Sequence, residues 1–440
     1  MTPDELERLF ALLRIPSISA LAAHAPDMER AVECVAAEIA RAGGTTQVVR
    51  NGGHPLLVGD IAAGAPDVPR LIIYGHYDVQ PVGDRDAWRS DPFAPEIRDG
   101  NLYGRGASDD KGNLFMLIVA VQRLAAQGAL PVHVRFLIDG EEECGGESAV
   151  RFIAEDTTPA DAALIFDAPM IGPERPMICS GLRGLVYRRI HVRTAPHDAH
   201  SGLYGGAGLN AAHVLVRILQ TLIPDDGTLH QRLCVGIAEP APGERSAWAQ
   251  LPDGGRMLGE AGLAPADPRA AAQFYRRTVA APSLDVHGIT CGEPTAVKTN
   301  LVSEATATLS LRVAPGQNAP HLADELDALI RSATPDGATV RIDQLGVAAP
   351  ALCDPRDPVL AAAMAAITQA TGWTCVPVRS GGSIPIVATL AGRGIPTVLS
   401  GFALPDDGIH GPNEHLRATH LEIGAQAAMA IISAIGELGR

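Results

Sequence analysis

The sequence predicts an α/β fold: a mostly parallel sheet flanked by helices, interrupted by a smaller inserted α+β domain. Three observations in the 440-residue chain predict it. Helix and strand signals alternate up to about residue 180. The texture changes near 182, and further on a cleanly alternating strand pattern at Ala305–Val313 follows a Pro- and Gly-rich stretch at 223–296. After about 348 the α/β texture returns. Residues 1–181 and 348–440 are therefore read as one domain and 182–347 as the insertion.

The elements follow in order. Thr2 caps a first helix, with Pro3 at its first position and Glu5 closing a capping box. Pro26 to Arg41 reads as a helix that Gly43-Gly44 stops. Leu71-Ile72-Ile73-Tyr74 is a short apolar run of the buried-strand kind. Asn113 to Gln127 has helical length, with Gly128 as its stop. Val132–Ile138 and Ala162–Phe166 are further strands. In the insertion, Leu185–Val192 reads as a strand and Leu209–Leu222 as a helix, and 223–296 has no clear pattern. Ala305 to Val313 alternates as a half-exposed antiparallel strand does. A helix at Pro320–Ser332 and a strand at Thr339–Leu345 complete it. The chain closes with an Ala-rich helix near Leu421–Leu438.

Composition narrows the function. Hydrophobic residues make up 46% and charged residues 19%, enough for a buried core. Asp and Glu number 50 against 35 Lys and Arg, a net charge of −15, which disfavours nucleic acid and anionic membrane as partners. The longest apolar run, Val359 to Ile367, falls far short of the roughly 20 residues that span a bilayer. The N-terminus lacks the basic start and apolar core of a signal peptide. Seven scattered cysteines, none spaced Cys-x-x-Cys, argue for a reducing, cytoplasmic setting. A Gly-x-Ser-x-Gly elbow is missing, and Gly104-x-Gly106 does not extend to a dinucleotide fingerprint because position 109 is Asp.

The chemistry lies where acids and histidines fall. The strand at 71–74 runs into Gly75-His76-Tyr77-Asp78, that at 132–138 into Asp139-Gly140-Glu141-Glu142-Glu143, and that at 162–166 into Asp167. In an open α/β sheet the ligand crevice lies beyond these strand ends. Between them runs Gly104-Arg105-Gly106-Ala107-Ser108-Asp109-Asp110-Lys111-Gly112, and near the end comes His410-Gly411-Pro412-Asn413-Glu414. Crowded carboxylates stay ionised only with positive charge among them. Carboxylate oxygen and imidazole nitrogen suit Zn²⁺, Mn²⁺ or Co²⁺. Two imidazoles with several carboxylates exceed the needs of one catalytic zinc, which points to two ions. Taken singly, each of these motifs reads as a loop, a turn or a helix cap; their joint order at strand ends favours the metal reading. His415 and His420 read as helix-surface residues, Cys144 as a small packed residue, and Arg105 and Lys111 as members of structural ion pairs.

These motifs, in this order, resemble the zinc-dependent peptidases and deacylases of the M20 class, which include aminoacylase, acetylornithine deacetylase, succinyl-diaminopimelate desuccinylase and the carnosinase-like dipeptidases. The resemblance implies that His76, Asp109 and Asp167 bind one metal ion and that Asp109, Glu143 and His410 bind a second, with Asp109 as the bridge. It implies that Asp78 orients His76, that the Asp109–Asp110 peptide is cis, and that Glu142 is the general base taking a proton from a bridging water. The acidic triplet leaves two registers open, Glu141-Glu142 or Glu142-Glu143; the family's Glu-Glu-x-Gly pattern fits Glu142-Glu143-Cys144-Gly145. In the insertion, Asp198-Ala199-His200-Ser201-Gly202 resembles a dipeptidase stretch, and His200 is implied as the oxyanion-stabilising histidine of a lid and dimerisation domain. Thr299, Arg312, Gly382 and Ser383 are implied to hold a substrate carboxylate. Asn300-Leu301-Val302 and Arg312-Val313-Ala314-Pro315 depart from the family pattern on the substrate side.

The expected function is a cytoplasmic, homodimeric dinuclear metallopeptidase, zinc-loaded with manganese or cobalt as alternatives. Through a hydroxide shared by the ions it hydrolyses dipeptides or similar small free-carboxylate substrates. The alternative is an N-acyl amino acid deacylase of the acetylornithine deacetylase or desuccinylase kind. A silent binding protein and a mononuclear carboxypeptidase are the remoter readings.

Overall fold

Strands covered on both faces lose the apolar–polar alternation of a half-exposed sheet. Every residue of the strand Ala162–Phe166 is buried, and so are Leu71 to His76 of the strand Arg70–His76. In the computed structural model, which describes residues 1–223, 229–249, 251–293, 295 and 297–439, these two strands are neighbours in a six-stranded sheet. Its spatial order is Thr45–Val49, Leu56–Ile61, His133–Asp139, Arg70–His76, Ala162–Phe166, Thr397–Ser400. The last four run parallel. Thr45–Val49 and Leu56–Ile61 add an antiparallel hairpin at one edge. The sequence reading missed that hairpin. Thr45–Val49 is largely exposed and carries little apolar signal, and Gly59-Asp60 interrupts the apolar run of its partner.

The described chain divides into two compact units. One comprises Met1–Ser180, Cys353–Val378 and Thr389–Arg440; the other comprises Gly181–Leu352 and Arg379–Ala388. The sequence reading had placed 379–388 with the flanking segments. The second unit holds it by an ion pair of Arg379 with Glu244 at 2.6 Å and by hydrogen bonds from Arg183 to Gly381 O and from Arg312 to Ser383.

In the first unit the helix Lys111–Ala126 is buried without a break from Lys111 to Val121. It packs on the strands Arg70–His76 and Ala162–Phe166 and on the helices Pro3–Leu13, Ala25–Arg41 and Ala418–Leu438. The Thr2–Glu5 capping box forms as read, with Glu5 N donating to Thr2 Oγ1 at 3.2 Å and Thr2 N to Glu5 Oε2 at 2.7 Å. The helix Ala418–Leu438 is long and apolar enough to cross a membrane by length and composition, but Leu421, Ala425, Ala428, Ile432 and Ile435 all sit in the core of this unit. His420 is buried there too, its Nδ1 2.8 Å from Phe402 O, contrary to its reading as a surface residue.

The second unit is a four-stranded antiparallel sheet ordered Ser283–Cys291, Glu304–Val313, Gly184–Arg193, Thr339–Ala348. Burial alternates along Gly184–Arg193, as a half-covered sheet requires. Its buried face shares a core with the helices Ala211–Leu222 and Ala319–Ala333.

Candidate metal centre

Parallel strands deliver their C-terminal ends to one edge of the sheet, and here those ends carry the acids. In register, His76 pairs with Asp139. Glu142 and Glu143 follow in a short 3-10 turn, Glu142–Cys144. Asp167 leaves the end of Ala162–Phe166. Asp109 sits just before the helix Lys111–Ala126, joined to Asp110 by a cis peptide.

The side chains converge as two donor triads that share Asp109. His76, Asp109 and Asp167 place one ligand atom each within 4.8 Å of one another, and so do Asp109, Glu143 and His410. His76 Nε2 lies 3.1 Å from Asp109 Oδ1, and His410 Nε2 lies 3.0 Å from Asp109 Oδ2 and 3.3 Å from Glu143 Oε2. On the far side of the His76 ring, Nδ1 is 3.1 Å from Asp78 O and 3.3 Å from Asp78 Oδ1. The Asp78 carbonyl accepts the Nδ1 proton, with the carboxylate close by, which leaves the Nε2 lone pair aimed at the cluster. Glu143 is fixed by Gln80, whose Nε2 donates to Oε2 at 2.9 Å, and by Asp78, which accepts from Glu143 N at 3.1 Å. No sequence signal pointed to Gln80.

The acidic triplet separates by use. Glu141 spends its carboxylate on three backbone N–H groups, those of His54, Glu147 and Ser148, at 2.7, 2.9 and 2.7 Å. Glu143 faces His410 and Gln80. The Glu142 carboxylate accepts no hydrogen bond from any described residue, yet stands close enough to His76, Asp167, Glu143 and Asp109 to feel their charges.

A second network holds Asp109 from below. The buried Glu414 carboxylate accepts from Arg105 Nη1 at 2.7 Å and from the backbone N–H of Gly106, Ser108 and Asp109 at 3.0, 2.9 and 3.0 Å. The expected ion pair of Arg105 therefore exists. Lys111 instead donates to Leu12 O at 3.2 Å and Ile15 O at 2.7 Å, because the carbonyls at the end of the first helix reach its buried ammonium. Removing the Glu414 carboxylate would strand a buried guanidinium. We expect Glu414→Ala to destabilise the protein by about 3–5 kcal/mol, read as a lowered denaturant midpoint.

The electrostatics show what charge the cluster calls for. Burial pushes the Glu142 carboxyl well above its usual range, and Asp167, Glu143 and Asp109 add to the rise against an opposing pull from His76. Asp167 and Asp110 are raised in the same way, by burial first and neighbouring acids next. Burial also works against an ionised Asp109, but hydrogen bonds from His410 and His76 outweigh it and hold that carboxyl low. His410 is pushed up to about 10 by Asp109 and Glu143. Asp78 Oδ1 and Asp110 Oδ1 are buried without a hydrogen-bond partner. These acids demand positive charge among them. Two divalent cations would supply it, and the oxygen and imidazole donors fit them.

The remaining residues expected at the site lie in the second unit. His200 sits on the two-residue strand Ala199–His200, exposed, its Nδ1 accepting from Gly202 N at 3.0 Å. That bond leaves Nε2 to carry the ring proton. Thr299 adjoins it: its carbonyl accepts from Ser201 Oγ at 2.6 Å. Arg312 and Ser383 meet at 3.1 Å, and Gly382 is exposed beside Ser383. Among the described residues no hydrogen bond joins Thr299 to Arg312. Cys144, read as packed, is exposed.

Residues 72–434 match the family described as Peptidase family M20/M25/M40. The chain is 31% identical to the cysteinylglycine-S-conjugate dipeptidase of Corynebacterium striatum, over 99% of this chain and 97% of that protein. It is 28% identical to the Cys-Gly metallodipeptidase dug1 of Schizosaccharomyces pombe, over 93% and 90%. Its fold is similar to that of an M20 family metallo-carboxypeptidase, Sso-CP2, from Sulfolobus solfataricus, with a TM-score of 0.89 at 24% identity, covering 99% of this chain and 100% of that one.

Proposed function

The chain belongs to peptidase family M20/M25/M40, and on that premise we propose that it is a metal-dependent dipeptidase acting on dipeptides and similar small substrates with a free carboxylate. The observation that carries this reading is the unengaged Glu142 carboxylate beside two donor triads sharing Asp109. His76, Asp109 and Asp167 would hold one divalent ion and Asp109, Glu143 and His410 the other, zinc first, manganese or cobalt as alternatives. When bound, the ions supply electrophilic activation of the scissile carbonyl and acidify the attacking water.

The chain's own residues supply the rest. Glu142, free of other hydrogen bonds and poised by burial to accept a proton, takes it from the water and passes it to the leaving amine. Asp78 keeps the His76 ring in the tautomer and orientation a ligand needs. His200, with its proton on Nε2, donates to the oxyanion. Arg312, Thr299, Gly382 and Ser383 bind the substrate carboxylate. Met1–Ser180, Cys353–Val378 and Thr389–Arg440 form the catalytic domain, and Gly181–Leu352 with Arg379–Ala388 the lid and dimerisation domain of a homodimer. A cytoplasmic setting accords with seven free cysteines.

A panel of dipeptides and of N-acetyl and N-succinyl amino acids, assayed with the metal-loaded enzyme, tests the substrate class. We expect dipeptides to lead in kcat/KM by about tenfold or more. The reverse order would make the enzyme a deacylase.

A further inference from the structure

Two guanidiniums stand together in the second unit with no acid between them. Arg312 lies on the strand Glu304–Val313, opposite Leu185 on one side and Ser283 on the other. Arg183 leads into the adjacent strand Gly184–Arg193 and is 9% exposed. Ser383 joins them: its Oγ donates to Arg183 O at 2.6 Å and accepts from Arg312 Nη1 at 3.1 Å.

Arg183 Nε donates to Gly381 O at 3.1 Å. Its Nη1 donates to Ser283 Oγ at 2.9 Å, with Arg277 O at 3.3 Å and Ala281 O at 3.5 Å. Among the described residues its Nη2 has no hydrogen-bond partner, and neither do Nε and Nη2 of Arg312. Neither arginine forms an ion pair with a described residue. Position 381 is glycine where a Cβ would come to 2.5 Å from Thr278 O and 3.2 Å from Arg183 Nη2, so this end of the guanidinium stays uncovered.

A buried guanidinium without a counter-ion is costly. Carbonyl oxygens offset part of that cost and leave the charge unbalanced. Burial and the repulsion of Arg312 push Arg183 down to about 10, and the acid that pulls the other way, Asp285, is exposed. Two positive charges with unfilled donors and a hydroxyl between them form a subsite for an anion that arrives with the ligand.

We propose that Arg183 is the second guanidinium of the carboxylate subsite, acting with Arg312 and Ser383, and that the pair makes a free carboxylate on the substrate's C-terminal residue a condition of tight binding. The inference rests on the dipeptidase reading and deepens it. A structural staple would use only the backbone bonds of Arg183 and would be indifferent to the charge of the substrate.

The test uses full-length, metal-loaded wild type, Arg183→Met and Arg183→Lys. KM and kcat are measured for a neutral dipeptide and for its C-terminal amide, with melting temperature and metal content checked for each variant. Calorimetric binding of N-acetylalanine and its amide makes the same comparison without turnover. We expect Arg183→Met to weaken the free acid by about tenfold or more and the amide by less than about twofold, with Arg183→Lys recovering much of the loss. Equal weakening of acid and amide, or none, would overturn the proposal. If the wild type cleaves no dipeptide, the dipeptidase reading falls by itself, and the calorimetric comparison still decides the role of Arg183.

Discussion

Glu142→Gln is expected to keep two divalent ions per chain and to lose about 10²–10⁴-fold in kcat, with KM changed little. The substitution removes one proton acceptor and no donor of either triad. Glu142 alone of the acidic triplet has a carboxylate free of hydrogen bonds, so amidation disturbs no contact that the fold uses. Steady-state kinetics beside metal analysis measures this. Turnover within a fewfold of wild type would remove Glu142 from the mechanism. Loss of metal in step with activity would make it a ligand instead.

Asp109→Asn is expected to abolish activity for a different reason. Asp109 belongs to both triads, with one oxygen toward His76 and the other toward His410. Amidation withdraws the bridging negative charge and replaces one oxygen by an N–H₂ that cannot serve as a ligand. Affinity for at least one ion should fall by more than about 100-fold, and bound metal by one ion or more per chain. Metal binding to the wild type should also release protons. Asp109 and Glu143 push His410 up to about 10, and burial and neighbouring acids raise Asp167. His410 therefore holds a proton near neutrality that a ligand must shed. Apparent metal affinity should therefore rise with pH, and calorimetry in buffers of different ionisation enthalpy gives the number of protons. Affinity independent of pH would contradict the assignment of these residues as ligands.

The parts of the fold most legible in the sequence were those whose signal is local. Leu71–Tyr74 and Ala162–Phe166 announced themselves as apolar runs because both their faces are covered, and Ala305–Val313 announced itself by alternation because only one face is. The edge strand Thr45–Val49 was silent, since an exposed strand needs no apolar residues. The donor clusters were legible because strand ends focus acids and histidines, and the two triads unite residues from five distant stretches of chain. What could not be read were the partners that fix those residues. Gln80 carries no pattern, the four hydrogen bonds of Glu414 depend on a loop conformation, and the pairing of Arg183 with Arg312 through Ser383 joins residues that sequence separation hides. His420 was misread because a long, Ala-rich helix gives little hint of which polar residue turns inward.

The most direct test of the shared-carboxylate centre is a crystal structure of the zinc- or manganese-loaded protein with anomalous scattering at the metal edge. The account predicts two peaks, one contacted by His76, Asp109 and Asp167 and the other by Asp109, Glu143 and His410, with a different Asp109 oxygen on each. A single peak at full occupancy in an active enzyme, or peaks away from Asp109, would contradict it.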